Sequence, residues 1–150
     1  MRLYEIDSEP GTYVSVRFTK DTNKKLREFA LSLGLKPIDK FHITVVYSPK
    51  PLGVEFGESR FNGSAKITGI DYLGDIDSEY RAVVLHVDSK EVQNLYDTYE
   101  VIHGYKHTYD EFIQHVSLAY RPPEDLDLSQ VDLPDFEIEF SYVKIEALKE

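Results

Sequence analysis

The chain has 150 residues, no cysteine and a formal net charge of −10. That length reads as one domain, 1–150, burying about 70% of its unfolded surface without covalent staples, while the missing thiols exclude disulfides and thiolate zinc sites and suit a reducing cytosol. The acidic balance argues against long duplex nucleic acid, and neither a membrane-length apolar run nor a secretory leader is found, so a cytoplasmic protein with no membrane partner is expected.

In chain order, Gly11 to Phe18 alternates, with Val14, Val16 and Phe18 on one face and Tyr13, Ser15 and Arg17 on the other, which predicts a half-buried strand. A helix follows, with Thr19 or Asp21 as N-cap. Leu26, Phe29, Ala30 and Leu33 form its apolar stripe, and Gly34 is placed to end it. Lys24, Lys25 and Arg27 trace its solvated face. Phe41 to Tyr47 is the next strand, and residues 49–63, rich in Pro and Gly, read as an irregular connection. Ala65 to Leu73 and Arg81 to Val87 predict a hairpin. A second helix begins at Asp88-Ser89, with Glu91 expected to complete a capping box after Asp88. Its stripe is Val92, Leu95, Tyr96 and Tyr99, and Gly104 stops it. A strand runs from about Phe112 to Tyr120. In the tail, Phe136 to Leu148, the apolar parity switches between Phe140 and Val143, which predicts a bulge near Ser141.

Two of these strands share a tripeptide. His42-Ile43-Thr44 and His115-Val116-Ser117 each set a histidine and a hydroxyl around an aliphatic residue. Side chains alternate along a strand, so histidine and hydroxyl share a face and the aliphatic residue points to the core. The order strand, helix, tripeptide strand occurs twice, in lobes at about 11–48 and 64–121, with 136–148 as a further strand segment. The expected architecture is α+β with pseudo-twofold symmetry. Helices pack on the outer, apolar face of antiparallel or mixed sheets, and His42, Thr44, His115 and Ser117 line a central groove.

Two imidazoles and two hydroxyls suit cleavage of an RNA-type phosphodiester. One histidine removes the proton from a ribose 2′-hydroxyl, the other protonates the departing 5′-oxygen, and both titrate near the working pH. The attacking hydroxyl is already tethered beside phosphorus. Thr44 and Ser117 can donate hydrogen bonds to the charge that grows on the phosphorane. No metal or other cofactor is needed by this scheme, and base and acid stay unassigned. One H-x-[ST] is a common pattern; two copies at matching places in a doubled unit are specific.

With that pair in place, the chain resembles the 2H phosphoesterase superfamily over roughly residues 11 to 121. More narrowly, GTYVSVRFTKDTNKKLREFALSLG, FHITVVYS and QHVSLAY are similar to the anti-CBASS phosphodiesterases of tailed phages. The resemblance implies an enzyme that degrades cyclic di- and trinucleotide alarm signals of infected bacteria, such as cyclic GMP-AMP. It implies a metal-independent route through a 2′,3′-cyclic phosphate to a linear 3′-phosphate, with aromatic contacts to the bases. His42 and Thr44 match the first motif, and His115 and Ser117 the second. Parity adds Tyr13 as a stacking surface and Glu146, near a terminus of the kind that often forms a lid, as an acceptor for a guanine-type edge. Lys40 and Arg121 are candidates for steering phosphate. Tyr120 has the core-side parity of its strand and is left out.

Other features have plainer readings. Glu124 to Glu139 holds seven carboxylates and no Lys or Arg; removing those seven charges from −10 leaves −3 for the remainder. A solvated loop explains it. His103 and His107 have zinc-binding spacing, but Gly104 interrupts the helix and no third ligand is near. His86 reads as a strand histidine that is satisfied, exposed or on the groove face. Two rival functions remain: action on RNA ends or 2′,3′-cyclic phosphates, and a non-catalytic sponge for cyclic nucleotides. Oligomeric state is not readable.

Overall fold

The computed structural model describes residues 10–75, 77–105, 112–123 and 126–148. Among these residues seven strands and two α-helices follow in the order β1 (Thr12–Phe18), α1 (Lys20–Ser32), β2 (His42–Ser48), β3 (Gly57–Arg60), β4 (Ser64–Leu73), β5 (Ala82–Asp88), α2 (Lys90–His103), β6 (His115–Tyr120) and β7 (Ile138–Ala147), with a short 3-10 turn at Leu128–Gln130. The described strands pair antiparallel in the order β1-β2-β6-β5-β4-β7-β3, and β7 also pairs with β1. Six strands therefore form a closed circuit, with β3 attached outside it along β7. This is a mixed α+β fold with a multi-stranded sheet and peripheral helices.

The helices cover the apolar face. Leu26 and Ala30 of α1, and Val92, Tyr96 and Tyr99 of α2, are buried in one cluster with Val14, Val16, Ile43, Leu85, Val116 and Leu118. Of the two N-cap candidates for α1, Thr19 takes the role and accepts from the Thr22 N–H at 3.2 Å. The same turn is tied to β7: the Thr19 N–H donates to the Glu139 carbonyl at 3.0 Å, and the Glu139 N–H donates to Thr22 Oγ1 at 3.1 Å. At α2 the expected capping box is not formed. Ser89, not Asp88, is the N-cap, and Glu91 instead accepts from the Ser64 N–H at 3.2 Å. Placing the cap one residue later puts Val92, not Glu91, at the third helical position. Gly104 closes this helix at φ 67, a left-handed conformation that costs a glycine little.

Four one-residue bulges shape the described sheet, one of them at Thr68 of β4, between the Ile67–Val87 and Gly69–His86 pairs, and the other three near the site and in the tail. Val14 pairs with Val46 and Ser15 with Thr44, leaving Val45 unmatched on β2. Val83 pairs with Ala119 and Val84 with Ser117, leaving Leu118 unmatched on β6. Arg17 pairs with Tyr142 and Phe18 with Phe140, leaving Ser141 unmatched, where the tail's parity switch predicted it. The bulges of β2 and β6 fall one residue after the tripeptide hydroxyl in each strand. Beyond each, the side-chain alternation is reset, and this corrects the sequence reading of Tyr120: it is 51% exposed and off the core face, as is Tyr47 of β2 at 56%.

Two further features differ from expectation. Strand β3 lies inside the connection read as irregular, because its fully exposed residues Gly57–Arg60 carry no alternation and gain their order from β7. The tail is one paired strand: Tyr13 faces Glu146, Thr12 faces Ala147, and the Leu148 N–H donates to the Gly11 carbonyl at 3.0 Å. Glu146 is thus held in the sheet and not on a terminal flap. His107 and Glu124 lie outside the described residues, so the zinc reading of His103 and His107 and the full acidic segment are not covered. Among the described residues, no helix is long and apolar enough to cross a membrane, and no group of three His, Asp or Glu is arranged to hold a metal ion.

Candidate active site

Strands β2 and β6 meet through a single pair, Ile43 opposite Val116. These are the central residues of the two tripeptides. In an antiparallel pairing the neighbours run in opposite directions, so this register sets His42 across from Ser117 and Thr44 across from His115. Each imidazole therefore has the other motif's hydroxyl as its cross-strand neighbour. Ile43 and Val116 are fully buried, while the four flanking polar residues are half-buried on the opposite face.

Both histidines are anchored in the same way. His42 Nδ1 lies 3.0 Å from the Lys40 carbonyl, and His115 Nδ1 lies 3.2 Å from the Ile113 carbonyl, two residues back in each case. A carbonyl only accepts, so each Nδ1 carries a proton and each neutral ring turns an unprotonated Nε2 to the groove. At His42 that nitrogen is 2.8 Å from the Tyr13 hydroxyl, which is also 2.8 Å from Thr44 Oγ1. The phenol accordingly donates to Nε2 and accepts from the threonine. Among the described residues, His115 Nε2 has no hydrogen-bond partner.

Burial holds both imidazoles below the usual histidine range. At His42 the Lys40 carbonyl opposes this, the Arg17 cation and, when protonated, His115 reinforce it, and the Glu146 carboxylate opposes it. At His115 the Ile113 carbonyl opposes the burial effect and His86, its cross-strand partner, reinforces it. Burial also pushes the Tyr13 phenol up. His115 is thus near enough for its charge to act on His42.

The surrounding rows follow from the strand registers. Tyr142 of β7, Arg17 of β1 and His42 of β2 are consecutive cross-strand neighbours, as are Lys144, Ser15 and Thr44, and Glu146, Tyr13 and Tyr47. Arg17 donates from Nε to Ser15 Oγ at 2.9 Å and pairs with Glu146 at 3.6 Å, and Lys144 reaches the same carboxylate at 3.7 Å.

The family model of anti-CBASS protein Acb1 matches residues 10–150, nearly the whole chain and both tripeptides. The chain belongs to the Acb1 family. A relative, anti-CBASS protein Acb1 of Vibrio phage KVP40 (isolate Vibrio parahaemolyticus/Japan/Matsuzaki/1991), is 28% identical over 123 residues, 80% of this chain and 79% of its own length. As an Acb1-family member, the chain is a phosphodiesterase of the 2H superfamily with the general role of cutting cyclic oligonucleotides.

On this Acb1-family sheet, Tyr13, His42, Thr44, His115, Ser117 and Glu146 come together on one face. Tyr13 meets the site through its hydroxyl, with its ring edge-on to His42 and Tyr47 at 6.1 and 6.2 Å. Glu146 has its carboxylate engaged by two cations. Lys40 is exposed at the entry to β2, and its carbonyl already serves His42. Arg121 is not brought in: it follows the far end of β6 at φ 52, is 72% exposed, and pairs with Glu79 at 3.5 Å. Arg17, Tyr47, Tyr120 and His86 were not singled out from the sequence as site residues. Arg17 was legible from parity, since it shares the Tyr13 face; the two tyrosines were hidden by the bulges.

Proposed function

We propose that this chain is a metal-independent phosphodiesterase that opens 3′–5′ linkages in cyclic di- and trinucleotide signals such as cyclic GMP-AMP. Its setting would be the cytoplasm of an infected bacterium, where it counters CBASS immunity. The observation that carries this reading is the Ile43–Val116 pair, which sets the two histidines and two hydroxyls on one half-buried face. One imidazole takes the proton of the ribose 2′-hydroxyl as its oxygen attacks phosphorus. The other gives its proton to the 5′-oxygen as the P–O5′ bond breaks. Thr44 and Ser117 donate to the non-bridging oxygens. Water then opens the 2′,3′-cyclic phosphate to a 3′-phosphate with the two histidines in exchanged roles.

The fold reading that goes with it is a single domain of two pseudo-twofold lobes, about 11–48 and 64–121, completed by the strand segment 136–148. Support comes from the matched Nδ1 anchors and from bulges at the same step of β2 and β6. Tyr47 and Tyr120, exposed at opposite ends of the central strand pair, are surfaces on which bases can stack.

The test is product analysis in EDTA with cyclic dinucleotides, cyclic trinucleotides, short RNA and nucleoside 2′,3′-cyclic phosphates. Cyclic dinucleotides with a 3′–5′ bond should be opened, and a ring made only of 2′–5′ bonds should survive. His42→Ala and His115→Ala should each lower kcat by about 10²–10⁴-fold and leave the circular dichroism spectrum unchanged. Turnover of RNA ends alone would favour the wider superfamily activity, and tight retention of intact ligand would point to a sponge.

A further inference from the structure

Beside the catalytic row is a cavity of about 170 Å³. It lies at the entry to β2, against Arg17, the cross-strand neighbour of His42, and its walls include Lys40 and Lys144, with Asp39, Tyr142 and Asn23. Three cations thus face one carboxylate, while Glu146 braces Arg17 and Lys144 from beside them.

The three cations describe an anionic ligand. The cavity has room for a phosphate group. Its far wall, Tyr142 and Lys144 of β7, lies two strand spacings from β2, about 10 Å, within reach of the next linkage of a molecule cut at the histidines. We infer that this cavity binds the phosphodiester next to the one being cleaved, with Lys40 and Lys144 on its oxygens. Arg17, touching both this cavity and the field of His42, links the two sites. The assignment rests on the cyclic-oligonucleotide reading above and deepens it: a substrate with two linkages is held at both.

The experiment compares a cyclic dinucleotide with the same ring in which the uncut linkage is an uncharged methylphosphonate. In the wild-type protein the neutral ring should show a KM raised about tenfold, the loss expected for a charge-assisted contact, with kcat unchanged. In the Lys40→Gln/Lys144→Gln variant both rings should show that raised KM and differ by less than about twofold. A wild type indifferent to the second charge, or a variant that still discriminates as wild type does, overturns the assignment. Failure of the wild type to cut either ring instead sinks the functional reading beneath it.

Discussion

In the proposed mechanism His42 and His115 carry both the chemistry and a pH signature. Burial is the main reason each sits below its ordinary value. A histidine depressed in the folded state contributes stability that is complete above the unfolded value near 6.5 and is lost as pH falls from there through the lowered one. For turnover, one ring must be neutral and its mate protonated, so kcat/KM, which reports the free enzyme, should peak on the acid side of about 6.5. After burial, Arg17 lowers His42 and Glu146 raises it. Arg17→Met should therefore move the limb carried by His42 to higher pH, and Glu146→Gln should move it lower. Shifts in the same direction would contradict this account. At this scale the sequence was most legible: four residues of two tripeptides share one face because alternation along a strand is a local rule. Arg121 was not legible, since its distance from His115 depends on where β6 ends.

Secondary-structure elements were readable where periodicity is strong and obscure where pairing decides. Both helices, their buried stripes and the Ser141 bulge follow from spacing alone. The bulges at Val45 and Leu118 do not, because an unmatched residue in an apolar run such as Thr44-Val45-Val46 leaves no mark on its composition. They turn Tyr47 and Tyr120 out of the core, against their parity. The short β3 was equally hidden, being ordered by its partner. The β1–β2 contact also has a backbone constraint at its start: a β-carbon on Gly11 would lie 2.0 Å from the Ser48 carbonyl oxygen. Gly11→Ala should thus destabilise the fold by about 1–3 kcal/mol, read as a lower urea midpoint at constant slope. An unchanged midpoint would show that β1 can shift without cost.

At the level of the whole molecule, β7 completes the circuit. It pairs with β1 along Thr12–Phe18 and with β4 at Ser64 and Ala65, and it buries Ile138, Phe140 and Val143. A chain ending at 137 would expose those partners and two open sheet edges, so it should fail to give a cooperative unfolding transition. A truncated protein that stays folded would mean that β7 is dispensable. Length and composition foretold a core of this size, but not that the tail closes it, since pairing between distant strands leaves little local signal. The hydrogen bond from Leu148 to Gly11 has its own consequence. Start and finish of this sheet are clasped together, so the order in which the strands are synthesised is not what specifies their arrangement. A circular permutant that bridges 148 to 11 with a short linker and begins instead at Phe56, in an exposed stretch before β3, should fold to the same enzyme.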